Sequence, residues 1–267
     1  MKILNFLRPK PTIGIVTHKF SNQHHEALSY CKVKHIRYTL YWAAYVEDSI
    51  KGDEYRTRYH REMHEMCSHG YDILLCVRQL PPGWNVAELI RFLRLTITLY
   101  TPHVTIQFLN EWNADWDVIQ PYKMACVLNA LMTLRQELNV KICMGSVTSI
   151  KRDSAFRLTL DYKPFFDIAS FHGYQGDPRY PESRVKEING EYAEGIRLLK
   201  DHQYNTPLWC TETALAVHGA PKQEWTKNIL RTKPSRVYIY NLYDNVTHAL
   251  FTSEWKPTKY ADWIRNR

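Results

Sequence analysis

The sequence predicts an α/β fold, a single (β/α)8 (TIM) barrel, on three observations. Short β-branched and aromatic runs alternate with longer amphipathic segments eight times along 267 residues, the size and order of that fold. Several short runs, DILLCV, VTIQFL and VYIY among them, are apolar almost throughout, as strands covered on both faces must be. The doubly wound alternative usually carries a glycine-rich phosphate turn. A chain with only 10 Gly contains neither GxGxxG nor GxxxxGK[ST]. No linker interrupts the alternation, so residues 1–267 read as one domain with short loops.

The elements follow in order. Strands are expected at Thr12–Thr17, His35–Tyr41, Asp72–Val77, Val104–Asn110, Val140–Ser146, Asp167–His172, Pro207–Thr211 and Arg236–Asn241, because each is a short apolar run ended by polar residues. Helical periodicity fills the gaps at Asn22–Lys32, Asp53–His69, Val86–Tyr100, Val118–Asn139, Ser154–Tyr162, Glu182–His202, Lys222–Thr232 and Pro257–Arg265. Asp117 is the expected N-cap of the fourth helix, with Pro121 in its first turn, where a missing N–H is tolerated. Asp115, Asp161 and Asp167 read likewise as caps or strand-start residues, and Asp244 is ambiguous.

Composition excludes several classes. Lys plus Arg at 35 against Asp plus Glu at 27 leaves a net charge of +8. The basic residues are scattered, without a recognition module, so nucleic acid is not the expected partner. No stretch reaches the roughly 18 consecutive apolar residues of a membrane span, so no membrane association is expected. Ile3–Leu7 is interrupted and too short for a signal-peptide core. The chain therefore reads as cytoplasmic, or as secreted if it is a trimmed mature form. The six cysteines show no metal-ligand spacing, and Cys76, Cys143 and Cys210 fall inside apolar runs, as reduced buried thiols do. The histidines are scattered and His24-His25 sits on the first helix, so neither a metal nor a cofactor is expected. The unusual quantity is aromatic: 8 Trp, 18 Tyr and 9 Phe make up 13% of the chain. Flat rings with one wet edge suit a sugar-binding cleft.

A barrel of this type keeps its active site at the C-terminal ends of its strands. That rule selects His18, Arg37 with Tyr41 and Trp42, Arg78 with Gln79, Asn110-Glu111-Trp112-Asn113, Ser146, His172 with Tyr174, Glu212, and Asn241 with Tyr243 and Asp244. A strand end is a costly place for a carboxylate. An isolated glutamate there is ordinarily a cap or an ion-pair partner of Arg37 or Arg78. Two of them, Glu111 after the fourth strand and Glu212 after the seventh, with Arg, His and Tyr between, point instead to chemistry. Glycosidic cleavage needs one carboxyl that protonates the leaving oxygen and one carboxylate that attacks the anomeric carbon. A spacing of about 5–5.5 Å gives retention. Arg37 near Glu212 would keep that carboxylate ionised.

At these residues the chain resembles the clan A glycoside hydrolases, retaining (β/α)8 enzymes with catalytic glutamates after strands four and seven. The resemblance is carried by Asn110-Glu111 in IQFLNEWN, Glu212 in PLWCTETA, Arg37 in HIRYTLYW, the strand-six run FDIASFHGY, and the ending ALFTSEWKPTKYADWIR. Among the clan it is similar to the families of β-xylosidases, exopolysaccharide hydrolases and small β-glucanases. The resemblance implies Glu111 as general acid/base and Glu212 as nucleophile. It implies Asn110 on the sugar 2-hydroxyl, Arg37 orienting the nucleophile, and His172 and Tyr174 contacting substrate or nucleophile. The clan's tryptophan at the end of strand eight is absent: VYIYNLYD offers Tyr240 or Tyr243 instead. Trp42, Trp84, Trp112, Trp116 and Trp209 are the candidates for sugar stacking, with Trp112, beside the expected acid, the foremost. The expected substrate is a β-linked poly- or oligosaccharide, possibly acidic, cleaved internally by a monomer. Two alternatives are a barrel that binds carbohydrate without cleaving it and a basic nucleic-acid- or phosphate-binding protein.

Overall fold

The structure, a computed structural model, describes residues 11–114, 118–152, 154–173, 181–214, 234–240 and 250–267. The strands are β1 (Thr12–Thr17), β2 (His35–Tyr41), β3 (Asp72–Arg78), β4 (Val104–Phe108), β5 (Lys141–Cys143), β6 (Ala169–His172), β7 (Leu208–Ala214) and β8 (Arg236–Tyr240). All pair in parallel, in the order β5-β4-β3-β2-β1-β8-β7-β6. Between the two ends of that order, parallel bridges join Cys143 of β5 to Ile168 just before β6, and Val147 after β5 to Phe171 of β6. The sheet thereby closes almost completely into a (β/α)8 barrel.

Helices wrap the outside: α1 (Asn22–Tyr30), α2 (Trp42–Val46), α3 (Ile50–Ser68), α4 (Val86–Ile97), α5 (Pro121–Leu138), α6 (Ala155–Asp161), α7 (Pro181–Asp201) and, as the C-terminal helix, α8 (Lys259–Arg265). Local chemistry sets their ends. Ser49 accepts a hydrogen bond from the Gly52 amide at the start of α3. Asn85 and Glu88 form a reciprocal capping box on α4. Asn139, in the left-handed region with φ 52°, ends α5. The buried stripe Leu89, Phe92, Leu93, Thr96 and Ile97 of α4 faces the sheet, each large apolar side chain contributing about 1.5–3 kcal/mol on burial.

The structure alters several expectations, and β5 is shortened to Lys141–Cys143 from the expected Val140–Ser146. α5 starts at Pro121 with Gln120 at the N-cap, so the cap position is not Asp117, which lies outside the described residues. The short helix α2 follows β2 directly. β4 ends two residues before Asn110, and β7 runs three residues beyond Thr211. The helix expected at Lys222–Thr232 lies outside the described residues.

Two layers fill the barrel interior. Val16, Leu74, Cys143, Ile168, Trp209 and Tyr238 form an apolar floor. About two residues further along the strands, Arg37, Gln107, Ser146, Ser170 and Thr211 form a buried polar layer. The C-terminal strand ends stand on that layer.

Candidate active site

The site begins with a break in β4. Side chains of a regular strand alternate between faces, so Gln107, Leu109 and Glu111 would point one way and Phe108 and Asn110 the other. Instead Leu109 adopts φ 67°, a left-handed conformation costing a non-glycine residue about 1–2 kcal/mol. Its side chain joins the outer core beside Phe108, while its amide donates to the Val77 carbonyl at 2.7 Å. Gln107, Asn110 and Glu111 then all reach the barrel axis. A matching irregularity lies on β7, where the register shifts between Cys210 and Thr213. Thr211 and Glu212, neighbours in sequence, both face inward.

These side chains form one connected cluster. The Arg37 guanidinium, 1% exposed, donates Nε to Gln107 Oε1 at 2.8 Å, Nη1 to Glu212 Oε2 at 3.0 Å, and Nη2 to Asn110 Oδ1 at 2.6 Å and Cys76 Sγ at 3.1 Å. The buried His172 ring stands between the two carboxylates, with Nδ1 2.7 Å from Glu111 Oε1 and Nε2 3.8 Å from Glu212 Oε2. Glu111 is further held by a parallel bridge to Ser146. The side chains of Glu111 and Glu212 are 14% and 15% exposed, so both are anchored from below and reachable from the mouth. Five expected site residues, Arg37, Asn110, Glu111, His172 and Glu212, are thus brought together.

Other expectations fall elsewhere. Trp112 is fully buried, its indole N–H donating to the Gly145 carbonyl at 3.1 Å. Trp42 is 2% exposed and stacks on Phe92 at 5.0 Å with an interplanar angle of 15°. With their faces covered, neither ring is available to a sugar; both pack the shell between sheet and helices. Trp209 belongs to the barrel floor, beneath Arg236 at 4.3 Å. Trp84 is half-buried between Trp42 and Lys123, whose ammonium lies 4.1 Å from its ring centre. Tyr240, half-buried at the end of β8, meets His18 edge-on at 5.8 Å. Tyr174, Tyr243 and Trp116 lie outside the described residues. Residues that the strand-end rule passes over are Gln107, Ser170 and Thr211. Their signal was a polar letter inside a nearly apolar run: Q in VTIQFL, S in DIASF, T in LWCTE.

Electrostatics separate the site from the thiols around it. Burial pushes the Cys143 and Cys210 thiols up to about 12, so neither ionises near neutral pH. Tyr41 at the mouth is also raised, mainly by burial. Among the described residues no group of three or more His, Cys, Asp or Glu is arranged to hold a metal ion. The cluster offers two carboxyl groups, a fixed guanidinium, a side-chain amide and an imidazole to a polar ligand.

The same barrel recurs in solved glycoside hydrolases. A GH30 endoxylanase from Clostridium papyrosolvens C71 superposes with a TM-score of 0.66 at 13% identity, over 97% of this chain and 72% of that one. The GH1 β-glucosidase of Exiguobacterium antarcticum B7 gives 0.66 at 11% identity, over 97% of each chain. A β-1,3-glucanosyltransferase from Rhizomucor miehei, solved as an active-site mutant with laminaritriose, gives 0.65 at 10% identity, over 93% and 96%. At such identities the likeness is one of fold, the fold of the clan A glycoside hydrolases. No protein-family model and no curated protein matches the chain. Among the described residues no helix is long and apolar enough to cross a membrane.

Proposed function

We propose that this protein is a retaining glycoside hydrolase that cleaves β-linked poly- or oligosaccharides, with Glu111 as general acid/base and Glu212 as nucleophile. The observation that carries the reading is the convergence of Glu111 and Glu212, from the ends of β4 and β7, on opposite nitrogens of His172. In the first step a Glu212 oxygen bonds to the anomeric carbon as the glycosidic C–O bond breaks, and Glu111 gives its proton to the leaving oxygen. In the second, Glu111 takes a proton from water, the hydroxide oxygen bonds to the anomeric carbon, and the Glu212 ester bond breaks. Net retention follows from two inversions. The Arg37 ion pair favours the ionised form of Glu212. Asn110, fixed by Arg37, is placed to meet the sugar 2-hydroxyl, and His172 orients Glu111.

The substrate proposed is a neutral or acidic β-glycan, bound by the chain as a monomer. Short connections at 18–21 and 79–85 leave that part of the mouth open, which favours internal cleavage. A panel of β-glycans assayed for new reducing ends, with product sizes and anomeric configuration by NMR, identifies sugar, mode and stereochemistry. Glu212→Gln is expected to abolish hydrolysis with the fold intact. Glu111→Gln should lower it about 10²–10⁴-fold on natural glycosides and much less in the glycosylation step of a dinitrophenyl glycoside, whose leaving group needs no proton. Near wild-type turnover of a natural glycan by either folded variant would remove the assignment.

A further inference from the structure

We infer that Gln107 is a positioning residue, holding Arg37, and through it Glu212 and Asn110, in register with the chemistry; the inference rests on the roles proposed above. Gln107 lies on β4 at 0% exposure, one layer beneath the carboxylates. Its Oε1 accepts from Arg37 Nε at 2.8 Å. Its Nε2 faces Ser146 Oγ at 2.8 Å, Ser170 Oγ at 3.2 Å and Thr211 Oγ1 at 3.3 Å. Strands β2, β4, β6 and β7, and the segment after β5, are thereby tied to one amide.

The direction of these bonds makes an amide necessary. Ser170 Oγ donates its proton to the Met144 carbonyl at 2.5 Å, so towards the other hydroxyls it can only accept. Ser146 lies 2.9 Å from Ser170 and in short contact with Thr211, where either hydroxyl can donate. Ser170, its proton engaged by Met144, presents only oxygen lone pairs towards residue 107 and needs a donor there. Arg37, having only N–H groups, needs an acceptor on the other side. A glutamine supplies both from one side chain. A carboxylate would supply two acceptors and compete with Glu212 for the guanidinium. An aliphatic side chain would leave a buried N–H of Arg37 without its acceptor. Leu109 explains why the residue stands three positions before Asn110: the left-handed turn lets Gln107 and Asn110 both face Arg37.

The consequence is geometric. Arg37 reaches Glu212 and Asn110 through Nη1 and Nη2, and a planar guanidinium pinned at Nε by a fixed acceptor has its two forks aimed. With the pin removed, the guanidinium keeps its Nη contacts but loses the acceptor that sets its plane at Nε, so both contacts are expected to loosen together. Among the contacts of the described residues, the Glu212 carboxylate is faced by Arg37 from β2 and by His172 from β6, with Glu111 on the far side of that ring, while the Cys210 thiol of its own strand meets the Glu212 backbone carbonyl. Loosening Arg37 weakens the cationic partner that favours the carboxylate, so the Glu212 titration should move up.

The test compares wild type, Gln107→Met and Ser170→Ala, the last removing one Nε2 partner without opening a large space. Steady-state kinetics on the aryl β-glycoside turned over by wild type, and ¹³C-NMR titration of the Glu212 carboxyl, assigned by its loss in Glu212→Gln, are the two readouts. In Gln107→Met, kcat is expected to fall at least tenfold with KM within threefold, and the Glu212 midpoint and acid limb of kcat/KM to rise together. Ser170→Ala should move the same quantities in the same direction by less, about two- to fivefold in kcat, and it decides the matter should Gln107→Met not fold. Folded variants with wild-type kcat and an unmoved Glu212 midpoint would overturn the inference. If wild type turns over no glycoside yet the midpoint rises in the variants, Gln107 still positions Arg37 and the hydrolase reading fails instead.

Discussion

Trp112 shows how adjacency in sequence misleads at the scale of one residue. It follows the expected acid directly, yet the turn after Glu111 carries its ring into the shell between β-sheet and α5, where it is fully buried. There its N–H satisfies the carbonyl of Gly145, as a buried indole must find a partner. Trp112→Phe keeps most of the apolar contact but leaves that carbonyl without its donor. We expect a loss of about 1–2 kcal/mol in stability and a KM for glycoside within about twofold of wild type, read from urea unfolding and steady-state kinetics. A large rise in KM at unchanged stability would return Trp112 to the binding surface. The five residues that do converge were legible for a different reason. Asn110, Glu111, His172 and Glu212 are polar letters at or near the C-terminal end of a barrel strand, and Arg37 is a charged letter inside β2; at such positions burial has to be compensated by pairing.

At the scale of elements, β4 and the chain leaving β5 approach each other closely at Gly145. A Cβ placed on Gly145 would lie 2.3 Å from the Phe108 carbonyl oxygen and 3.0 Å from the Trp112 ring, and backbone cannot yield as a side-chain tip can. Gly145→Ala should therefore push apart the segments that carry Glu111 and Ser146, which are bridged to one another. The expected outcome is a destabilisation of about 2–3 kcal/mol and a fall in kcat, measured by denaturant midpoint and turnover; an unperturbed midpoint would show that the two segments separate freely. β1 and β2 were legible to the residue, because Thr12–Thr17 and His35–Tyr41 are apolar runs with sharp polar borders. α2 was not: WAAYV continues the apolar character of β2, and five residues carry too little helical period to announce a change. The left-handed turn at Leu109 was equally hidden, since leucine carries no bias towards positive φ. The shift on β7 was hidden too, because CTET holds three consecutive polar residues and nothing in it marks which of them face the cavity. Both departures occur where two consecutive polar residues must face one cavity.

For the whole molecule, the stability of the barrel should depend on pH through histidines that lie away from the mouth. His24 on α1 packs against Trp255 at 4.7 Å and Phe20 at 6.2 Å. Burial, with the charge of Lys19, lowers it to about 4. His35, at the opening of β2, is likewise lowered to about 4, by burial and the Arg236 charge against a smaller opposing effect of Asp72, 3.1 Å away. His60, between the hydroxyls of Tyr45 and Tyr100, moves in the same direction. In the unfolded chain these groups titrate near 6.5. Between about 6.5 and 4 the unfolded state binds protons that the folded state refuses, so stability falls as pH is lowered through that window and levels off below it. His24 and His35 should each contribute roughly 1–3 kcal/mol to the fall. Thermal midpoints recorded from pH 8 to pH 4 are expected to drop most steeply in this interval, and His24→Gln with His35→Gln should flatten the drop. A double variant with the wild-type slope would assign acid sensitivity to other groups. His24 sits on the flank and His35 at the N-terminal end of β2, whereas His172 lies between Glu111 and Glu212 at the C-terminal strand ends. The double variant should therefore shift the acid limb of stability while leaving the pH dependence of kcat/KM in place, which separates unfolding from the titration of the carboxylates.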